Sequence, residues 1–424
     1  MQVVVVALGK IGLPLAAHIA RAGHEVVGCD IDAEVVAAVN AGRAPFPGEA
    51  DLDSVLEAVV GGGALRAVTD TTAAVADGPD LVIAVPPLLV NADADPDWRI
   101  LDSVVADIGA GLQAGTTVSI ETTLPVGTTR ERIAPALEEA SGLPREEGFF
   151  TVFSPERVFS GRIFQDLETY PKLVGGLSEA GERRGCELYG TFLTAPVWPM
   201  GSAEAAELTK LAETTYRDIN IAFANELARL ADARGLDAGR VIEAANSQPF
   251  SHIHRPGIAV GGHCIPVYPR FYLQGDPDAA LPRAAREVNE AMPRYAVQRL
   301  AAAIGGSLEG RRVLILGVAY RGDVKETAFS GAFGAREALL AAGAVPVASD
   351  PLYGPAELEA LGFTPWDGAP VDAAVLQADH AAYAGLGPAD LPGATAVLDG
   401  RGVLDPAAFS GSGVALVRLG APAA

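Results

Sequence analysis

Cysteine is scarce in this 424-residue chain: Cys29, Cys186 and Cys264 are all there are. No CxxC pair or His/Cys cluster has metal-ligand spacing, so no metal site is expected. Lysine is nearly as scarce. Lys10, Lys172, Lys210 and Lys325 are the whole complement, far outnumbered by arginine, so each merits individual inspection. No apolar run reaches the roughly 20 residues a membrane span needs. Met1-Gln2-Val3-Val4 passes straight into a strand pattern, with no basic n-region or cleavage site. A soluble cytoplasmic protein with reduced thiols and no membrane partner is therefore expected. Positive charge is short as well. The formal net charge of -22 argues against sequence-independent binding of nucleic acid or an anionic surface. An anionic substrate must meet a local basic pocket instead.

The length calls for two or three domains, and 49% hydrophobic residues supply several cores. Gln2-Val3-Val4-Val5-Val6 is a continuous apolar run, the pattern of a parallel strand buried on both faces. Ala7-Leu8-Gly9-Lys10-Ile11-Gly12 follows, then an amphipathic helix to about Ala22, then a second strand Glu25–Cys29 with Asp30 at its end. This layout is a Rossmann unit. Gly9 lets a pyrophosphate approach the backbone, and Gly12 lets the helix pack closely. The helix N-terminus offers free N–H groups to phosphate. Asp30 would accept hydrogen bonds from the adenosine ribose and repel a 2′-phosphate, which favours NAD over NADP. Ala7 stands where the first glycine of the fingerprint belongs.

The α/β alternation continues. Strands are expected at Leu81–Val85, Thr117–Ile120 and Phe149–Phe153. They end in Pro86-Pro87, in Glu121-Thr122-Thr123-Leu124-Pro125-Val126-Gly127 and in Ser154-Pro155-Glu156-Arg157-Val158. Any one such cluster is as readily a turn as a site. Three on the carboxyl rim of one parallel sheet form a cleft, where ligands bind in this architecture. From Ser202 to Arg234 there is neither Gly nor Pro, and apolar residues recur at three- and four-residue steps. That predicts one helix about 50 Å long at about 1.5 Å per residue. Lys210, Thr214 and Arg217 share a face of it, either a solvated face or part of a site. A second helix, Ala238 to Asn246, leads through His252 and His254 to Gly261-Gly262-His263-Cys264-Ile265-Pro266. Glycines that admit close approach, a thiol and then a proline would present a nucleophile at a cleft floor. A lone cysteine is more often an inert, buried, small hydrophobe. From Arg311 a second, smaller α/β sheet is expected, with strands at Val313–Leu316, Val345–Ser349, Ala373–Leu376 and Ala396–Leu398. It lacks the glycine loop, so no second NAD site is expected. Arg321 and Arg401 just follow strands, where a guanidinium holds phosphate bidentately.

Taken together, several of these stretches are similar to the UDP-sugar 6-dehydrogenases. The carriers are Gly9-Lys10-Ile11-Gly12-Leu13-Pro14, Thr123-Leu124-Pro125-Val126-Gly127, Ser154-Pro155-Glu156-Arg157-Val158, Tyr216-Arg217-Asp218-Ile219-Asn220-Ile221-Ala222, Gly261 to Pro266, Gly317-Val318-Ala319-Tyr320 and Leu398-Asp399-Gly400-Arg401-Gly402. They span nearly the whole chain, and the Ser-Pro-Glu-Arg-Val and Tyr-Arg-Asp-Ile-Asn forms look like the N-acetylhexosamine branch. The resemblance implies two NAD-dependent oxidations at C6 of a UDP-sugar, with Cys264 as nucleophile, Lys210 stabilising the oxyanion and Glu156 or a water near Thr123 handling protons. It implies cofactor contacts from Gly9, Lys10, Ile11, Gly12, Asp30, Pro86 and Thr123. Substrate contacts fall to Arg157, Val158, Thr214, Arg217, Gly261, Tyr320, Arg321 and Arg401. It also implies a homodimer across the long helix.

The chain departs from that pattern. Thr214 stands for an asparagine, Tyr268 for an aspartate, Ala328 for an arginine, Val35 for a basic residue and Pro86 for a threonine. Without that aspartate's charge, Lys210 is expected to lose its proton more readily. The expected fold is two Rossmann-like doubly wound sheets joined by a long central helix in a helical linker domain. Its domains are a dinucleotide-binding domain at 1–200, a helical domain at 201–298 carrying Lys210 and Cys264, and a sugar-nucleotide domain at 299–424. The leading reading is a four-electron UDP-N-acetylhexosamine 6-dehydrogenase. The alternatives are a UDP-glucose 6-dehydrogenase, a form that stops at the aldehyde, or a catalytically silent nucleotide-sugar binder.

Overall fold

The structure is a computed structural model that describes residues 1–91, 95–159 and 161–422. Two compact units emerge, Met1–Glu213 and Thr214–Ala424.

The first unit is built on an eight-stranded sheet. Its strands are β1 (Gln2–Val6), β2 (Glu25–Cys29), β3 (Leu65–Val68), β4 (Leu81–Ala84), β7 (Thr117–Ile120), β8 (Phe150–Phe153), β9 (Lys172–Gly176) and β10 (Val197–Pro199), while β5 (Leu89–Val90) and β6 (Pro96–Asp97) pair as a separate hairpin. The order is β10-β9-β8-β7-β4-β1-β2-β3. All pairs are parallel except β8 with β9. The valine run of β1 alternates between two cores. Val3 and Val5 pack with Leu15 and Ile19 on one face, and Val4 and Val6 with Val105 and Ile108 on the other. Chain order reverses at β1, between β2 and β4, which opens a crevice at the carboxyl ends there. Sequence reading anticipated β1, β2, β4, β7 and β8 but left β3, β9 and β10 unread.

Ala7 occupies the left-handed region at φ 74°, the conformation the missing glycine would adopt without strain. Its carbonyl explains Gly12, because a Cβ there would lie 2.0 Å from the Ala7 oxygen. An L-residue in this region costs about 1–2 kcal/mol, partly offset by the chain entropy a glycine adds to the unfolded state. Ala7→Gly is therefore expected to raise stability by about 0.5–1 kcal/mol in urea unfolding. An unchanged or lower midpoint would show that the loop holds Ala7 without strain.

The second unit holds a five-stranded, all-parallel sheet of order β12-β11-β13-β14-β15, from β11 (Arg312–Leu316), β12 (Val345–Ser349), β13 (Ala373–Leu376), β14 (Ala396–Asp399) and β15 (Ala415–Arg418). Helices Ala238–Asn246, Tyr268–Gly275 and Ala280–Ala303 precede it. The long helix runs Ala203–Arg234, 32 residues, and Gly235 ends it at φ 65°. The boundary between the units falls inside this helix.

Candidate active site

In the first unit the nucleotide loop closes on Asp30. One carboxylate oxygen accepts the Leu8 N–H at 2.8 Å and the other the Asp32 N–H at 3.0 Å. Gly9 and Lys10 are exposed, and a Cβ on Gly9 would meet nothing within 4 Å, so the loop presents an open cradle. Ile11 precedes the helix Gly12–Arg21; the Leu13 N–H already donates to the Gly9 carbonyl at 3.1 Å and Pro14 has none, so the helix start faces the loop with its positive dipole end and the Gly12 N–H. At the neighbouring strand ends the carbonyl of buried Pro86 accepts the Thr122 hydroxyl, and Thr123 is buried beside it in sequence. A negative charge at β2's end, an open loop and a helix N-terminus fit a dinucleotide.

Further along the same edge lies a buried ionic cluster. The Lys172 ammonium is 2.9 Å from a Glu121 oxygen and 2.8 Å from a Glu156 oxygen. Tyr189 donates its hydroxyl to the other Glu121 oxygen and sits 2.8 Å from the Ser119 hydroxyl. Topology explains the meeting. Glu121 directly follows β7 and Glu156 comes three residues after β8. β9 runs antiparallel to β8 and starts at Lys172, so its first residue falls at the carboxyl end of β8. Burial pushes Glu121 up to about 7 against the pull of Lys172. Burial also pushes Glu156 up, but the Lys172 charge, its hydrogen bond and the Arg157 N–H outweigh it and hold Glu156 below the ordinary carboxylate range. The second Glu156 oxygen accepts N–H groups of Arg157 at 2.7 Å and Val158 at 3.3 Å. Its backbone carbonyl accepts the Lys210 ammonium at 2.6 Å. The Arg157 guanidinium pairs with Glu213 at 2.6 Å.

One turn before Lys210, buried Glu207 accepts the N–H groups of Gly127 (2.6 Å) and Thr129 (2.9 Å) and the Thr129 hydroxyl (2.6 Å). Burial lifts it to about 7, against these three donors. It thus fastens the long helix to the loop that carries Thr123. Sequence reading placed Glu121 in a cluster on the strand rim and marked Lys172 only by the rarity of lysine, without giving either a role, and it missed Tyr189 and Glu207.

In the second unit Cys264 is exposed. Its carbonyl accepts the Val267 and Tyr268 N–H groups at 3.2 and 2.9 Å, so the thiol sits one turn ahead of the helix Tyr268–Gly275. Both glycines before it are required. A Cβ on Gly261 would lie 2.7 Å from the Tyr320 Cβ, and Gly262 has φ 91°. The Gly262 N–H donates to the Ala328 carbonyl at 2.8 Å, so the Ala328 position touches this loop through its backbone. Tyr268 lays its ring against Phe271, centroids 5.8 Å apart. Thr214 is buried and Arg217 exposed on the long helix. The Arg321 guanidinium lies 5.7 Å from the Tyr320 ring centroid.

Arg401 differs from the expectation of a phosphate fork. Its guanidinium donates to the carbonyls of Gln377 (2.5 Å), Tyr320 (3.0 Å) and Ala259 (3.4 Å) and to the Gln377 amide oxygen (3.1 Å). With four donors committed, it braces the Tyr320 turn against the chain before Gly261. Asp350, at the end of β12, matches Asp30 in place but is buried. Its oxygens accept Val318 (2.7 Å) and Ala319 (3.1 Å) N–H groups, and His380 Nε2 lies 3.1 Å away. Among the described residues no His/Cys/Asp/Glu group could hold a metal ion, and no helix is long and apolar enough to cross a membrane.

The sequence profile described as UDP-glucose/GDP-mannose dehydrogenase family, NAD binding domain, matches residues 1–193, and that of the family's central domain matches 204–291. The chain belongs to the UDP-glucose/GDP-mannose dehydrogenase family. A UDP-N-acetyl-D-mannosamine dehydrogenase from Pyrococcus horikoshii is 38% identical over 331 residues, 77% of this chain and 78% of that protein. An NDP-N-acetyl-D-galactosaminuronic acid dehydrogenase from Ralstonia solanacearum is 36% identical over 303 residues, 70% of each. The solved structure of a Pyrococcus horikoshii UDP-D-ManNAc dehydrogenase superposes with a TM-score of 0.88 at 32% identity, covering 99% of both chains. This dehydrogenase is thus an oxidoreductase of nucleotide sugars, and its NAD-binding domain is the unit that carries Gly9, Gly12 and Asp30.

Proposed function

We propose that this dehydrogenase oxidises the C6 alcohol of a UDP-N-acetylhexosamine to the carboxylate in two steps, with NAD as cofactor. The observation that carries the reading is exposed Cys264, set on Gly261-Gly262 one turn ahead of a helix. The names of the relatives support the sugar class. Bound at the Gly9–Gly12 loop, NAD+ supplies the hydride acceptor for each oxidation. The Lys210 ammonium, steered by the Glu156 carbonyl, stabilises negative charge on the C6 oxygen. The Cys264 thiolate adds to the aldehyde carbon, forming a C–S bond while the oxygen takes a proton. Loss of that proton and of the second hydride gives a thioester. Water then adds, the C–S bond breaks and the thiolate leaves. Glu156, ionised and held by Lys172 and two N–H groups, positions Lys210, and a water near Thr123 takes the proton that each oxidised hydroxyl releases. Arg157, Val158, Thr214, Arg217, Gly261, Tyr320 and Arg321 form the substrate contacts, with Arg401 as their brace. The test is NADH release against a panel of UDP-hexoses, with products identified by mass. Two NADH per N-acetylhexosamine is expected, and release only with UDP-glucose would move the assignment to the other branch.

The cofactor choice has its own test. Asp30→Ala should narrow the preference for NAD over NADP by about ten-fold. Equal turnover with both cofactors in the unaltered protein would end the assignment.

The matches at 1–193 and 204–291 support domains at 1–200 and 201–298, and the separate parallel sheet that begins at Arg312 supports a third at 299–424. The reading carries a cytoplasmic location, where thiols stay reduced. It also carries a homodimer. Tyr216, Phe223 and Leu230, seven residues apart on the long helix, are about half exposed, an apolar stripe suited to a second copy. A monomer by light scattering at micromolar concentration, with activity intact, would sink the dimer.

A further inference from the structure

Lys172 is the one of the four lysines that is both fully enclosed and doubly paired. Its side chain is 5% exposed, and its partners Glu121 and Glu156 are 0% and 10% exposed. A buried cation is costly to desolvate, and two carboxylates around it cost more unless the geometry is specific. Packing alone would be served as well by an apolar residue of this length. The cluster also sits at the rim that carries the cofactor loop, and one of its carboxylates belongs to the residue whose carbonyl holds Lys210.

We propose that Lys172 is a positioning residue for the oxidation: bridging Glu121 and Glu156, it fixes the turn at 154–158 and, through the Glu156 carbonyl, the ammonium of Lys210. The proposal rests on the assignment of Lys210 above. The path is short. Lys172 keeps Glu156 ionised between two carboxylates that would otherwise repel. Ionised Glu156 accepts the N–H groups of Arg157 and Val158 and shapes the turn. The turn aims the Glu156 carbonyl at Lys210. Ser154, at the head of the same turn, is tied by its hydroxyl to the Leu173 carbonyl at 2.7 Å, so both ends of the turn hang on the start of β9. The charged and titratable groups around Glu156 are Lys172, Glu121, Lys210, Arg157, Asp166 and Tyr170, with Tyr189 behind Glu121 and His18 more distant.

Removing the charge tests the path. Lys172→Met leaves two carboxylates facing each other, and Glu156 then ionises only at higher pH. The full-length variant should lose about 100-fold in kcat, the usual effect of a small misplacement at a reacting centre. KM for NAD and for the sugar should stay within about three-fold. The acid limb of its pH profile should move to higher pH. Glu121→Gln, which leaves one lysine against one carboxylate, should lose only about three-fold. Adding Glu121→Gln to Lys172→Met should recover part of the loss, because the repulsion is gone. A merely structural lysine predicts additive losses and an unmoved profile, and that result would overturn the proposal. Should Lys172→Met not fold, Glu121→Gln against the double variant carries the same comparison, and identical kcat and pH profile in the two would overturn it. A readout independent of turnover separates this proposal from the functional reading. With so few lysines, ε-labelled lysine NMR resolves each one. In Lys172→Met the Lys210 signal should shift while those of Lys10 and Lys325 stay. An unmoved Lys210 signal refutes the positioning path even if the enzyme is a UDP-sugar dehydrogenase, whereas a shifted signal in a protein inactive on every UDP-sugar keeps the path and refutes the function.

Discussion

Cys264→Ala is expected to abolish carboxylate formation, by about a thousand-fold or more, while NADH still binds. Oxidising an alcohol to an acid needs two hydride transfers with a covalent stage between them. Without the thiolate the first hydride can leave, but the second has no tetrahedral adduct to leave from. The measurement is product mass with NADH yield per sugar, and two NADH per sugar from this variant would end the thioester route. The loop itself should not collapse, since Cys264 is exposed and its helix is held by backbone carbonyls rather than by sulfur.

Arg286→Met is expected to cost the second unit about 3–5 kcal/mol, the usual penalty for leaving one partner of a buried pair alone. The Arg286 guanidinium grips both Asp218 oxygens, one at 2.7 Å, and both side chains are buried. Asn289 donates to Asp218 at 2.8 Å, Asn225 donates to Asn289 at 2.9 Å, and Asn225 accepts the Gly257 N–H at 2.9 Å. The network thus ties Ala280–Ala303 and the long helix to the segment leading to Cys264. Thermal unfolding should show a drop of about 10 °C for a unit of this size. Adding Asp218→Leu should recover most of it by removing the stranded charge. A loss below about 1 kcal/mol would mean that solvent reaches Asp218 and the pair is not structural.

The local features of both units were legible without coordinates, for a physical reason. A continuous valine run bounded by turn residues reads as a doubly buried strand, and a 32-residue stretch without Gly or Pro, apolar at three- and four-residue steps, reads as helix until Gly235 stops it. The dinucleotide loop was readable too, because close approach and left-handed φ restrict residue choice to a few types. Even its fault was informative, since Ala7 keeps the glycine's φ. What folding alone decided is which distant side chains meet. Nothing local marks Lys172 as a partner of Glu121 and Glu156. It reaches them only because β9 runs antiparallel to β8 and so begins at the carboxyl rim. Arg401 looked like a phosphate ligand from its place after a strand, but its guanidinium found four protein acceptors within reach. Strand direction and the competition for buried hydrogen bonds are properties of the packed chain. Local residue pattern carries backbone preference and burial, not the identity of the partner.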